Sequence, residues 1–208
     1  MNAAPLFPMF LKLEGRNCLV LGAGSVGEQK LRGLIECGAD VCVVAPSASA
    51  AVREWAERGV LTWLARKFES SDLDNVFLVV AATSSAEVNH EIYREAQARG
   101  ILCNVVDDPS YCDFYYPAIV RRGRLQIAVS TAGLSPALAQ RIRKQLEQEF
   151  PPVYASWLED LGRKREVLFR EGGDPELRRQ LLHQSVTPEA FAEFERGWIQ
   201  QASGKDLL

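Results

Sequence analysis

Histidine is nearly missing from this chain, which holds two, His90 and His183, among 208 residues. Both fall in expected helices outside any recognisable motif, so a histidine general base is disfavoured and each reads as a surface or packing residue. The five cysteines (Cys18, Cys37, Cys42, Cys103, Cys112) are odd in number and show no C-x-x-C spacing, which argues against a disulfide framework and against a zinc site. Most of them read as small buried apolar residues of a reducing compartment. No cluster of His or Cys suits stable metal binding, so no resident metal is expected. No apolar run approaches a membrane span, and the N-terminal MNAAPLFPMFLKLEG lacks a basic start followed by a long apolar stretch, so export is not indicated and the cytoplasm is the expected location. The formal net charge of −3 is too small to point to nucleic acid or an acidic membrane as partner.

What the chain does have is apolar residues, 47% of the total, enough for one substantial domain and an appendage. From Asn17 to Val106 apolar runs alternate with stretches of helical period, the rhythm of a parallel sheet covered by helices. NCLVLGAG, DVCVVAP (closed at Pro46), VLTWLA, VFLVVAAT and ILCNVV read as five strands. Helices are expected at Val26–Cys37, with Gly38 as a left-handed C-cap, at AAVREWAERG and at AEVNHEIYREAQARG. The fold class is therefore α/β with a doubly wound parallel sheet. After Asp113 the rhythm changes. PAIVRRGRLQIAVST reads as two strands joined around Arg122 and Gly123, and Ser135–Pro136 opens a helix through Phe150 that Pro151 and Pro152 stop. The rest is helical and charged, with new starts at Asp174–Pro175 and Thr187–Pro188, and only the final SGKDLL reads as loose.

Gly22-Ala23-Gly24-Ser25-Val26-Gly27 is a G-x-G-x-x-G between the first strand and the first helix. The first glycine permits the tight turn, the second lets backbone approach a pyrophosphate, and the third lets helix and strand pack closely, with phosphate at the positive helix N-terminus. The motif alone is weak; its placement gives it weight. The acidic residue that usually holds the ribose is missing, since the second strand ends Ala45-Pro46-Ser47. Ser47 and local backbone are the candidates instead, while Arg53 lies far into the next helix for a 2′-phosphate ligand.

Two further stretches carry charge in an unusual arrangement. Between Phe114 and Leu146 stand Arg121, Arg122, Arg124, Arg141, Arg143 and Lys144 with no acid, a local +6 that reads either as a polyanion-binding surface or as a solvated face. Inside it, Ser130-Thr131-Ala132-Gly133-Leu134-Ser135-Pro136 either binds an anionic group or caps the helix that follows. Asp107 and Asp108, closing the apolar ILCNVV, either cap a turn or include a reactive carboxylate. A carboxylate at the carboxyl end of a parallel strand faces the crevice where such sheets bind ligands, and partial burial there would raise its pKa toward general-base values.

Together, LVLGAGSVGEQK, VCVVAPS, VVAATSS, CNVVDDP and FYYPAIVRRGRLQIAVSTAGLSPALAQRIR, in that order, resemble the precorrin-2 dehydrogenases of sirohaem synthesis, including the N-terminal half of bacterial sirohaem synthase. The similarity spans roughly residues 8 to 146. It implies a Rossmann-like NAD-binding domain over 1–113, a small α+β dimerisation and substrate-binding segment over 114–150, and a helical C-terminal domain over 151–208. It implies NAD-dependent oxidation of precorrin-2 to sirohydrochlorin, a homodimer, and in some members insertion of ferrous iron, handled only transiently. It places the catalytic aspartate at Asp107, with Asp108 a turn residue, and cofactor contacts at Gly22, Gly24, Ser25, Val26, Gly27, Pro46, Ser47 and Thr83. Substrate contacts fall on Asn104, Arg121, Ser130, Thr131, Gly133 and Ser135. Two other readings stand beside it: an NAD-sensing module without catalysis, which needs neither Asp107 nor the basic segment, and a chelatase that has lost dehydrogenation, against which the intact GAGSVG speaks.

Overall fold

The computed structural model describes residues 5–205, which divide between Tyr116 and Pro117 into two compact units. The first is a five-stranded parallel sheet: β1 (Asn17–Ala23), β2 (Asp40–Ala48), β3 (Thr62–Leu64), β4 (Leu78–Ala81) and β5 (Leu102–Val105), in the order β3-β2-β1-β4-β5. The helices α1 (Ser25–Glu36), α2 (Ala50–Glu57) and α3 (Ala86–Ala98) connect them, with a 3-10 turn at Ser70–Leu73 between β3 and β4. The order reverses at β1, so β1 and β4 diverge at the topological switch point where such sheets open a ligand crevice.

Strand periodicity of two explains the core. Val20, Val43 and Val80 face a cluster with Leu31 and Leu34 of α1 and Val52 of α2, while Leu19, Leu21 and Val79 face Ile92 and Ala96 of α3. Both faces are buried, which is why these strands read as continuous apolar runs rather than alternating ones. Each fully buried Leu, Ile or Val stabilises the fold by roughly 1.5–3 kcal/mol, and Leu31→Ala would cost about 2–5 kcal/mol through the cavity it leaves. Side-chain caps start two of the helices, Ser49 Oγ accepting from Val52 N and Ser85 Oγ from Val88 N, both at 3.3 Å. Gly38 ends α1 at φ 73°, as its position in the sequence predicts.

Two strand ends differ from expectation. β2 does not close at Pro46 but runs to Ala48, because pairing with β1 resumes at Ala23↔Ala48 after an irregularity that accommodates the missing N–H. β3 contracts to three residues, since only Thr62, Trp63 and Leu64 find partners on β2.

The second unit begins with the antiparallel hairpin β6 (Ala118–Arg122) and β7 (Leu125–Val129), turning through Gly123 at φ 57°. The helices α4 (Pro136–Glu149), α5 (Val153–Glu171), α6 (Pro175–Gln184) and α7 (Pro188–Lys205) follow. Both α4 and α5 pack on the hairpin, and α5 meets α6 and α7. The predicted starts hold physically: Asp174 Oδ1 accepts from Glu176 N at 3.1 Å and Thr187 Oγ1 from Ala190 N at 3.2 Å. Tyr154 and Trp157 of α5 pack on Phe191 of α7, with ring centroids 4.5 and 4.9 Å apart. The SGKDLL segment expected to be loose is helical through Lys205, and residues 206–208 lie outside the described ones. No helix among the described residues is long and apolar enough to cross a membrane.

Candidate functional site

The glycine turn forms as its spacing predicts. At Gly22, φ is 101° and an added Cβ would collide with the Ala82 carbonyl; at Gly27 it would collide with the Gly22 carbonyl. These two glycines are demanded by packing inside the protein. Gly24 is different: a Cβ there meets nothing within 4 Å. Packing inside the protein therefore does not demand a glycine here, and the position stays open to close approach from outside. Gly24 is also the N-cap of α1 and contributes no side-chain cap, and the first-turn N–H groups of a helix have no partner within it. Ser25 and Val26 begin this helix at the surface, Val26 being 42% exposed although apolar.

A cleft of about 710 Å³ opens over this turn, lined by Gly22, Gly24, Pro46, Ser47, Thr83 and Val88 among others. Five of the eight expected cofactor residues therefore share one cavity at the carboxyl ends of β1, β2 and β4, while Ser25, Val26 and Gly27 stand in the adjoining first turn. Thr83 is fixed by a residue that motif reading did not single out, the buried Asn89. Asn89 Oδ1 accepts from Thr83 N (3.2 Å) and lies 2.7 Å from Thr83 Oγ1, while its Nδ2 donates to Thr83 O at 3.1 Å. At the end of β2 no acid stands, and Arg53 reaches back to donate to Ala48 O at 2.8 Å, nearer the strand end than its helical position suggests.

β5 delivers Asp107 to the same edge of the sheet, Val106 N donating to Ala81 O at 2.9 Å as the chain leaves the strand. Asp107 adopts φ 61°, a left-handed conformation that Asp tolerates better than most residues. The partial burial expected for it is not seen: this turn swings the side chain off the apolar face, and Asp107 is exposed. Asp108 accepts a backbone bond from Tyr111 N at 3.1 Å as the N-cap of a 3-10 turn (Pro109–Tyr111), and its carboxylate lies 2.8 Å from His90 Nε2 on α3. Asn104 is buried, its Nδ2 donating to Phe114 O at 2.8 Å and lying 3.3 Å from Cys112 Sγ, so its amide pins the loop that carries Asp107.

Another group near this loop lay unremarked in the GEQK of the glycine motif. Lys30, one turn beyond Gly27, places Nζ 3.7 Å from the ring centroid of Tyr116. Burial holds its pKa below the ordinary lysine value, and the nearby charge of Asp107 opposes that shift.

In the second unit the basic segment divides. Arg122 Nε donates to Phe150 O at 2.7 Å and Nη2 to Glu147 O at 3.1 Å, closing the C-terminus of α4, and Arg143 pairs with Glu147 one turn along. Arg121, Arg124, Arg141 and Lys144 are exposed. The hydroxyls before α4 accept backbone hydrogens: Ser130 Oγ from Ala132 N (3.1 Å), Thr131 Oγ1 from Ser135 N (3.2 Å) and Ser135 Oγ from Leu138 N (3.3 Å). Ala132 and Gly133 both take positive φ to make this turn. No group of three or more His, Cys, Asp or Glu suited to a metal occurs among the described residues.

Comparison with known proteins agrees with this geometry. Residues 9–118 match the family described as "Putative NAD(P)-binding", and residues 122–149 match the sirohaem biosynthesis protein central family. The chain is 36% identical to siroheme synthase 1 of Serratia proteamaculans over 211 residues, covering 96% of this chain and 44% of that protein. It is 35% identical to siroheme synthase of Photorhabdus laumondii over 195 residues, covering 94% and 42%. The chain thus spans less than half the length of these relatives. Among solved structures, SirC, precorrin-2 dehydrogenase, superposes with a TM-score of 0.80 at 30% identity, over 96% of this chain and all of that one. With the glycine cradle, the acid-free end of β2 and the aspartate after β5 all in place, the chain belongs to the family of precorrin-2 dehydrogenases and sirohaem synthase N-terminal regions.

Proposed function

We propose that this chain is an NAD-dependent precorrin-2 dehydrogenase yielding sirohydrochlorin in sirohaem biosynthesis, acting as a homodimer in the cytoplasm. The observation that carries the reading is a glycine-rich strand-to-helix turn under an open cleft, with an acidic side chain on the same carboxyl edge of the sheet. Gly22, Gly24 and Gly27 with the first turn of α1 hold the pyrophosphate, Pro46 and Ser47 the ribose, and Thr83 the far side of the cleft. NAD, when bound, supplies the hydride acceptor. The oxidation also releases a proton, and Asp107 accepts it: its carboxylate is exposed at the sheet edge, and the arriving macrocycle excludes water from it. Within the second unit, the exposed cations Arg121, Arg124, Arg141 and Lys144 and the Ser130–Ser135 turn form a basic surface of a kind suited to carboxylates. Five cysteines, all unpaired, suit a reducing compartment.

The test is to incubate the purified chain with precorrin-2 and NAD, follow absorbance, and then add ferrous or cobaltous ion as substrate. Sirohydrochlorin formation is expected, and its absence overturns the dehydrogenase reading. A further spectral change on adding metal would establish chelation as a second activity of the same site. Sedimentation should return twice the 23.1 kDa chain mass.

A further inference from the structure

We infer that Lys30 is a substrate-anchoring residue of the first unit, its ammonium, seated over the Tyr116 ring, taking one carboxylate arm of the macrocycle. This rests on the assignment of an acidic tetrapyrrole to the same site. Lys30 stands three residues after Gly27, so the helix that presents the glycine cradle also presents this ammonium one turn on. Its Nζ lies 3.7 Å from the Tyr116 centroid and makes no hydrogen bond or ion pair with another described residue, so its donors are unspent. The charge is half-buried, and an ammonium in that position is costly without a partner. The ring of Tyr116 and the charge of Asp107 offset part of that cost.

The groups that act on Lys30 carry one negative charge among them near neutral pH. Cys112, on the loop after β5, has its thiol pKa raised by burial, and the Tyr116 phenol is raised in the same way, so both are neutral near pH 7. Asp107 is the negative charge beside it. A substrate with many carboxylates must approach Asp107 closely enough to give up a proton, and like charges resist that approach. A cation beside Asp107 that is bound to no other acid removes the obstacle, and Lys30 is where the fold supplies it.

The test uses uroporphyrin, an octacarboxylic porphyrin, bound to the full chain without NAD and followed by tryptophan quenching. Lys30→Met should raise its Kd about tenfold, the scale of one charge-assisted hydrogen bond, while NAD affinity stays within twofold. Lys30→Arg should restore binding. Wild-type affinity should fall on the alkaline side at a pH below the ordinary lysine value of 10.5, and that fall should vanish in Lys30→Arg. In turnover with precorrin-2, Lys30→Met should raise KM with kcat within about twofold, the signature of lost uniform binding. An unchanged uroporphyrin Kd, an alkaline fall that persists in Lys30→Arg, a loss confined to kcat, or a parallel loss of NAD binding would each overturn the assignment. Should Lys30→Met not fold, the wild-type and Lys30→Arg pH profiles decide. A wild-type chain that binds uroporphyrin through Lys30 yet fails to oxidise precorrin-2 would overturn the dehydrogenase reading and leave the anchor standing.

Discussion

His90 Nε2 lies 2.8 Å from Oδ2 of Asp108, and the same imidazole stacks on Tyr111 with centroids 3.9 Å apart. One histidine thereby ties α3 to both ends of the short turn that follows Asp107, and the two adjacent aspartates take different work. Asp108 is held inward as a fastening, while Asp107 is turned outward by its left-handed backbone. Asp107→Asn keeps that conformation, since Asn tolerates it as well as Asp, but removes the proton acceptor. It should lower kcat by at least about 100-fold with NAD affinity unchanged. Asp108→Asn retains an acceptor for His90 and should stay within a few-fold of wild type. His90→Ala should cost about 1 kcal/mol of stability in urea unfolding, the scale of one hydrogen bond on a group about a third exposed. Equal loss in both aspartate variants would refute the division of labour.

The three glycines of the turn should separate in the same manner. Gly27→Ala forces a Cβ into the Gly22 carbonyl and should lower the melting temperature of the apoprotein as well as NAD binding. The Cβ of Gly24→Val meets no protein atom within 4 Å, so the apoprotein should melt closer to wild type than Gly27→Ala does. Added NAD, which stabilises the wild type in proportion to its occupancy, should give Gly24→Val no upward shift. A Gly24→Val protein that NAD still stabilises would mean the pyrophosphate does not cross this residue.

What the sequence disclosed and withheld follows from the range of the forces involved. The five strands could be read because both faces of the sheet are covered, so Leu19, Val20 and Leu21 had all to be apolar. The helix starts at Ser135, Asp174 and Thr187 could be read because a cap acts over two or three residues. The hold of Asn89 on Thr83 spans six residues, the pairing of His90 with Asp108 eighteen, and the capping of α4 by Arg122 twenty-eight. None of these leaves a periodic trace. The basic segment shows the same limit: six cations looked alike, yet the fold uses Arg122 and Arg143 for itself. The outward turn of Asp107 was hidden because a positive φ at a non-glycine residue has no marker in composition.

Acid should probe a buried ion pair away from the site. Arg66 donates to both oxygens of Asp72, at 2.6 and 2.8 Å, and the Asp72 side chain is only 6% exposed. The guanidinium holds the Asp72 carboxyl below its ordinary value of 3.8, with the Glu69 backbone N–H adding to the effect. A carboxyl depressed in the folded state contributes stability that is present above its unfolded value and fades as pH falls through its folded value. Asp72→Asn should therefore cost about 1–3 kcal/mol at neutral pH, discounted because Arg66 is itself 37% exposed, and the gap to wild type should narrow below about pH 4. Urea unfolding at pH 7 and pH 3 measures both, and a gap that widened in acid would contradict the assignment.

Thiol reactivity offers a check on the sheet itself. Burial pushes Cys18 up to about 11 and Cys103 up to about 12, raises Cys42 and Cys112 in the same direction, and leaves Cys37 as the exposed thiol at the end of α1. The reactive species is the thiolate, so reaction at pH 8 is suppressed both by access and by ionisation for the two thiols inside β1 and β5. Titration of the native chain with Ellman's reagent should show one fast equivalent, lost in Cys37→Ser, and slow release of the rest. Denaturant should expose the other four together, because Cys18 and Cys103 belong to the two core clusters of one cooperative sheet. A fast second equivalent from Cys103 in the native protein would mean that β5 detaches from β4 on its own, and with it the loop that positions Asp107.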